Sequence, residues 1–266
     1  MYETNYHRPK DLAEAASLFA DAGEGKFLAG GQTLIPTMKQ RLAAPSDLID
    51  ISGVAELKGI SASDTEVSIG AAVTHAEVST SDAVKNAIPA LAALAGMIGD
   101  PAVRAMGTIG GSLANNDPAA DYPAVVLALG ATVHTTKRAI PAADFFSGLF
   151  MTALEEDEIV TRVTFPVPAA AAYQKFRNPA SRYAMAGVFV ARMKDGAIRV
   201  GVTGAGNNGV FRAEAIEQAL TASWSPAAVD GVTIDEDGML SDIHGSAAYR
   251  ANLVKVMAKR AVAAIG

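Results

Sequence analysis

The chain has 266 residues, half of them hydrophobic and 19% charged, with 22 Lys+Arg against 28 Asp+Glu and a net charge of −6. That length suits one or two domains with a sizeable core, and the composition excludes a disordered chain. The lack of a basic excess argues against a nucleic-acid binder, and the absence of cysteine excludes disulfides, thiolate zinc sites, Fe–S ligation and a cysteine nucleophile.

No stretch reaches the ~18 uninterrupted apolar residues of a membrane helix. The first residues lack the basic and then apolar pattern of a secretory signal, so a soluble cytoplasmic protein is expected. After Pro9, Leu12, Ala15, Ala16 and Phe19 recur at helical spacing and predict an amphipathic helix over 10–20. A strand at 26–29, a Gly30-Gly31-Gln32-Thr33 turn, a helix over 34–42 and a strand at 48–51 complete an α/β unit. Strands at 57–60 and 66–70 flank a polar turn and read as a hairpin. Residues 84–98 form one long apolar helix, which Pro89 kinks or starts.

A segment dense in Gly, Asn, Asp and Pro fills 99–123. An apolar helix at 124–129 and strands at 131–135 and 158–165 follow. The Pro/Ala stretch 167–172 is the expected domain boundary. Beyond it lie three strands, at 173–176, 185–193 and 197–203, the last two joined by the Lys194-Asp195-Gly196 turn. Helices over 212–221 and 246–265 end the chain, and no tandem repeat occurs at a fixed period.

The four histidines, His7, His75, His134 and His244, have no ligand spacing, so no metal site is expected. There is no Gly-x-Ser-x-Gly elbow to support acyl transfer. Two glycine-centred segments stand out, Leu28-Ala29-Gly30-Gly31-Gln32-Thr33-Leu34 and Gly107-Thr108-Ile109-Gly110-Gly111-Ser112. Paired glycines expose consecutive N–H groups that can point at phosphate oxygens where a side chain would block approach. A single Gly-Gly pair is usually only a turn, and neither segment is a P-loop or a Rossmann fingerprint. After the second segment come Asn115-Asn116-Asp117-Pro118-Ala119-Ala120-Asp121. Asp117 before Pro118 reads as a helix N-cap, and a carboxylate beside a phosphate cradle suits a ribose hydroxyl.

These residues carry a family resemblance. Ala29-Gly30-Gly31-Gln32-Thr33-Leu34-Ile35-Pro36, Leu48-Ile49-Asp50-Ile51, Gly99-Asp100-Pro101-Ala102-Val103-Arg104, Gly107 to Ser112, Asp117 to Asp121 and Tyr173-Gln174-Lys175-Phe176 together resemble the flavin-binding medium subunit of the molybdenum hydroxylases. That group includes aerobic carbon monoxide dehydrogenase and the flavin portion of xanthine dehydrogenase. The resemblance implies an α+β chain with a two-lobed FAD-binding fold of the vanillyl-alcohol-oxidase (PCMH) type. Residues 1–168 would hold it, as a small α/β lobe over 1–55 and a larger α+β lobe over 56–168. Residues 169–266 would form a small C-terminal domain with a three-stranded antiparallel sheet.

By the same resemblance, Leu28, Ala29, Gly30, Gly31, Gln32, Thr33 and Leu34 on one side, and Thr108, Ile109, Gly110, Gly111 and Ser112 on the other, hold the pyrophosphate of FAD. Asp121 takes the adenosine ribose, Asn115 makes a polar contact and Val160 lies near the adenine. Lys175 lies near the flavin, where a cation would favour the reduced anion, and Tyr183 lies in the loop beside the isoalloxazine. Ala120 stands where some relatives have a hydroxyl, and Gln32-Thr33 where His or Ser is common. The Gly204-Ala205-Gly206-Asn207-Asn208-Gly209 segment reads as a flexible loop. The implied partners are a large molybdenum-binding chain and a small iron–sulfur chain, assembled as a dimer of heterotrimers, with molybdenum and [2Fe–2S] held only by those partners. No residue here is assigned a catalytic role. The alternatives are a self-sufficient flavin oxidoreductase using His75 or Tyr183 as acid or base, and a non-enzymatic module.

Overall fold

The computed structural model describes residues 1–266. The first helix, Leu12–Asp21, starts where the Asp11 carboxylate accepts from the Glu14 amide at 2.8 Å. Three short parallel strands follow the order Asn5–His7, Asp47–Asp50, Gly25–Leu28, with Leu28 opposite Asp50. The helix Leu34–Lys39 is shorter than expected.

The second sheet has five antiparallel strands, ordered Ile60–Ala62, Glu66–Gly70, Val160–Pro166, Thr132–Thr135 and Ala139–Pro141. The apolar run over 84–98 is two helices, Asp82–Ala87 and Pro89–Gly96, so of the two readings of Pro89 it is the helix start that fits and not a kink. The chain turns at Ile88, because Pro89 cannot donate back to a preceding turn. The segment 99–123 is partly helical. It holds the helices Pro101–Met106 and Ile109–Asn115, and the apolar helix beyond starts at Tyr122, not at Pro118. Asp117 caps no helix there; its Oδ1 accepts from the Ala119 amide at 2.8 Å in a local turn.

The expected three-stranded sheet has four strands: Ala170–Arg177, Ala184–Arg192, Ile198–Thr203 and the two-residue Phe211–Arg212. The Gly204 to Gly209 segment folds the chain back so that Phe211 pairs with Val202 and Arg212 with Gly201. That segment is bonded into the fold: the Gly204 amide donates to Pro118 O at 2.9 Å and the Leu240 amide to Ala205 O at 2.8 Å. The Pro/Ala stretch read as a boundary is partly strand, since pairing begins at Ala170 opposite Arg192.

Buried apolar side chains form two clusters. The central strand Ala184–Arg192 feeds both, because side chains alternate across a sheet. Phe189 and Ala191, and Met193 just past the strand's end, pack into the first cluster, with Tyr122 and Phe165. Ala186, Val188 and Val190 pack into the second, with Ile216 and Met257 of the helices Glu214–Ala222 and Ala247–Ile265. No helix is long and apolar enough to cross a membrane.

Candidate functional site

The glycine segments are brought together by backbone approach. A β-carbon at Gly30 would lie 2.1 Å from Met106 O and 2.7 Å from Gly107 Cα, so the first segment packs directly on the chain leading into the second. Gly31 has φ +69°, a left-handed turn that starts the helix after it. The amides of Gly30, Gly31, Gln32 and Thr33 donate to no protein acceptor, while Gly31 O and Thr33 O accept from Ile35 and Thr37.

The second segment is the first turn of the helix Ile109–Asn115, and its amides are mostly spent. Ile109 N donates to Val73 O at 3.1 Å, Gly110 N to Ala71 O at 2.9 Å, and Gly111 N to the capping Thr108 hydroxyl at 3.1 Å. Its glycines therefore serve as space and not as a row of free donors. A β-carbon at Gly110 would collide with Ala71 at 2.5 Å, whereas one at Gly111 would point across to Ala29, 3.7 Å away.

Between these segments lies a cavity of ≈ 770 Å³, within the range of sites that enclose an organic cofactor. Of the residues singled out in the sequence, Leu28, Ala29, Gly30, Gly31, Gln32, Thr33, Leu34, Thr108, Gly110, Gly111, Ser112, Asn115, Asp121, Val160, Lys175 and Tyr183 line it. Ile109 does not: its side chain is fully buried in the first apolar cluster.

Asp121 and Lys175 both line the cavity and are joined to each other. Lys175 Nζ lies 2.8 Å from Asp121 Oδ2, and the pair is almost wholly buried. Tyr173 donates its hydroxyl to Asp121 Oδ1 at 2.5 Å. The two residues therefore meet the cavity as one ion pair, although the resemblance assigns them separately to the adenosine ribose and to the flavin. Lys175 is thus not a free cation. Burial raises the Asp121 pKa, opposed first by Lys175 and then by the Tyr173 hydrogen bond.

Several cavity residues carried no local sign of their place. His75 is 5% exposed, its amide donates to Gly107 O, and its Nδ1 has no partner. Burial, and then the charge of Arg104, lower its pKa to about 4, so the ring is neutral near pH 7. A β-carbon at Gly107 would sit 2.7 Å from His75 Nε2. That glycine, directly before Thr108, was the available signal. Glu158 also lines the cavity. Burial opposes its ionisation, but hydrogen bonds from Arg138, Thr135 and the Glu155 amide prevail and hold its pKa at about 2. Tyr183 is delivered to the cavity mouth by a turn built on buried Asn178, whose Oδ1 accepts from the amides of Ala180 and Ser181.

Free amides on one wall, close backbone approach between the walls, and mixed polar and apolar lining define a protein with a cradle for a diphosphate-bearing organic cofactor. Residues 2–168 match the family described as FAD binding domain in molybdopterin dehydrogenase, and the chain belongs to that family. It is 37% identical over 273 residues to the carbon monoxide dehydrogenase medium chain of Afipia carboxidovorans, covering 97% of this chain and 95% of that one. It is 36% identical over 278 residues to the nicotine 6-hydroxylase medium subunit of Paenarthrobacter nicotinovorans, covering 98% and 96%. Its fold matches reconstituted CO dehydrogenase from Oligotropha carboxidovorans with a TM-score of 0.91 at 34% identity, over 99% of this chain and 97% of that chain.

Proposed function

We propose that this chain is the FAD-binding, electron-transfer subunit of a multi-subunit molybdenum hydroxylase, an oxidoreductase. Electrons from [2Fe–2S] clusters in a small partner chain would reach FAD here and leave to an external acceptor, while substrate chemistry belongs to a large molybdenum-binding chain. The observation that carries this reading is the set of unpaired amides at Gly30, Gly31, Gln32 and Thr33, residues that line a cavity together with Gly110 and Gly111 of the second segment. Such amides suit a diphosphate. Thr108 and Ser112 add hydroxyls, and Asn115, Val160 and Tyr183 line the remainder. The bound flavin supplies the redox chemistry; the chain's residues bind it, orient it and set the charge around it. The lack of cysteine supports clusters held elsewhere.

The medium chains and subunits among the relatives support assembly with large and small partners, which we read as a dimer of heterotrimers. We also read the fold as the two-lobed vanillyl-alcohol-oxidase type over 1–168, with 169–266 as a C-terminal domain. A self-sufficient oxidoreductase would need a working acid or base; His75 is buried, and at Tyr183 burial and the nearby Asp117 and Asp121 raise the pKa, which disfavours its use as a base. The decisive experiment is co-expression with the two partner chains and measurement of FAD per chain. One FAD per medium chain, reduced when substrate is added to the complex and not to this chain alone, is the expected result. Turnover by this chain alone would overturn it.

A further inference from the structure

Tyr173 is 4% exposed and does not line the cavity, yet its hydroxyl is aimed at a residue that does. Tyr173 and Lys175 stand two apart on the strand Ala170–Arg177 and so project to the same face, where each takes one oxygen of Asp121. Lys175 also donates to Met97 O at 3.3 Å. The neighbouring strand makes room for this. Gly187 is the cross-strand partner of Lys175, and a β-carbon there would lie 2.2 Å from the Tyr173 hydroxyl. The next strand holds the backbone leading to Asp121, through Thr203 Oγ1 to Pro118 O at 3.1 Å and Ala120 O at 2.6 Å. Asp121 makes no capping bond to the helix Tyr122–Leu129 that it precedes. Local helix chemistry therefore does not explain a buried carboxylate at this point. A buried ion pair is also a poor source of stability, because desolvation offsets the Coulomb attraction.

We propose that Tyr173 is a positioning residue of the cofactor cavity: seated in the space Gly187 leaves open, it fixes the Asp121 carboxylate so that Asp121 masks the Lys175 charge from the bound flavin. Removing the mask exposes a cation, which favours the reduced flavin. Removing Lys175 takes away the cation altogether, so the reduced flavin loses the attraction that escapes the mask and the oxidised form is favoured. Removing only the Tyr173 hydroxyl loosens the mask and acts weakly in the direction of its loss. The inference rests on the FAD reading above, with Lys175 at the flavin end of the cavity as the family resemblance implies.

The test uses the full chain loaded with FAD, with near-UV circular dichroism to check folding and FAD per chain counted first. The ratio of reduced to oxidised flavin is then read against reference dyes at the wild-type midpoint, where the ratio is one. Asp121→Asn is expected to shift the ratio about tenfold toward reduced flavin, or about 30 mV for a two-electron couple. Lys175→Met is expected to shift it in the opposite sense. Tyr173→Phe should follow Asp121→Asn with about a third of that shift in millivolts, or twofold. Gly187→Ala displaces the same hydroxyl without touching a charged group and should reproduce the Tyr173→Phe shift. It serves where Tyr173→Phe does not fold. A wild-type ratio in FAD-loaded Tyr173→Phe or Gly187→Ala overturns the inference. So do shifts of the same sign in Asp121→Asn and Lys175→Met, or folded variants that all fail to take up FAD. A wild-type chain that takes up no FAD defeats the cofactor reading itself, a distinct outcome.

Discussion

Gly30 and Met106 meet so closely that a single added carbon at Gly30 would fall 2.1 Å from the Met106 carbonyl oxygen. This contact joins the two walls of the cavity. Gly30→Ala must therefore move main chain against main chain, not just a flexible side chain. It is expected to cost about 1–3 kcal/mol of stability, as overpacking does, and to lower FAD affinity. Urea unfolding of the FAD-free chain and fluorescence titration with FAD check the two parts.

Gly111 offers the contrasting variant. Its missing side chain points across the gap toward Ala29, and its tightest protein contact is the Thr108 hydroxyl at 3.0 Å. Gly111→Ala should change the stability of the FAD-free chain by less than about 1 kcal/mol. It should weaken FAD binding at least about tenfold, or about 1.4 kcal/mol. Flavin occupancy equal to wild type would show that the cofactor does not pass between these walls.

The buried imidazole of His75 gives stability a pH dependence with a definite sign. Its folded pKa of about 4 lies below the usual 6.5, so the unfolded chain binds the extra proton between those values. Stability is then lost as pH falls from about 6.5 to about 4, by up to about 3 kcal/mol. His75→Gln should lack this component. Urea unfolding of both proteins at pH 4 to 7 should show their stability difference shifting in favour of the variant as pH falls.

Glu158 works in the other range. Its folded pKa of about 2 lies below the ordinary 4.5, so its contribution is present above about 4.5 and is lost as pH falls toward 2. Arg138 lies 3.1 Å from it. Arg138→Met removes that support, raises the Glu158 pKa and should move acid unfolding to higher pH. Circular dichroism followed during acid titration of both proteins reads the shift.

The two glycine segments were legible because glycine pairs and their hydroxyl neighbours advertise close backbone approach, whereas Val160, Lys175 and Tyr183 came only from the family resemblance; all the residues singled out but Ile109 line one cavity. The helical state of Ile109–Asn115 was not legible. Two adjacent glycines argue for a loop, and only the Thr108 cap and the packing of Gly110 on Ala71 make a helix there. The Asp121–Lys175 pair joins residues 54 positions apart, a separation at which no local periodicity reports contact. The two-residue strand Phe211–Arg212 is too short for alternation to reveal. It forms because the preceding glycine-rich turn returns the chain to Val202.

The strand Ala184–Arg192 presents Phe189 to one apolar cluster and Val188 to the other. Cutting the chain after residue 168, where the family match ends, would strip the front cluster of Tyr173, Phe189, Ala191 and Met193 and leave a wet hydrophobic scar beside Tyr122. The matched segment is therefore not a detachable brick. Heat should melt both halves in one cooperative step.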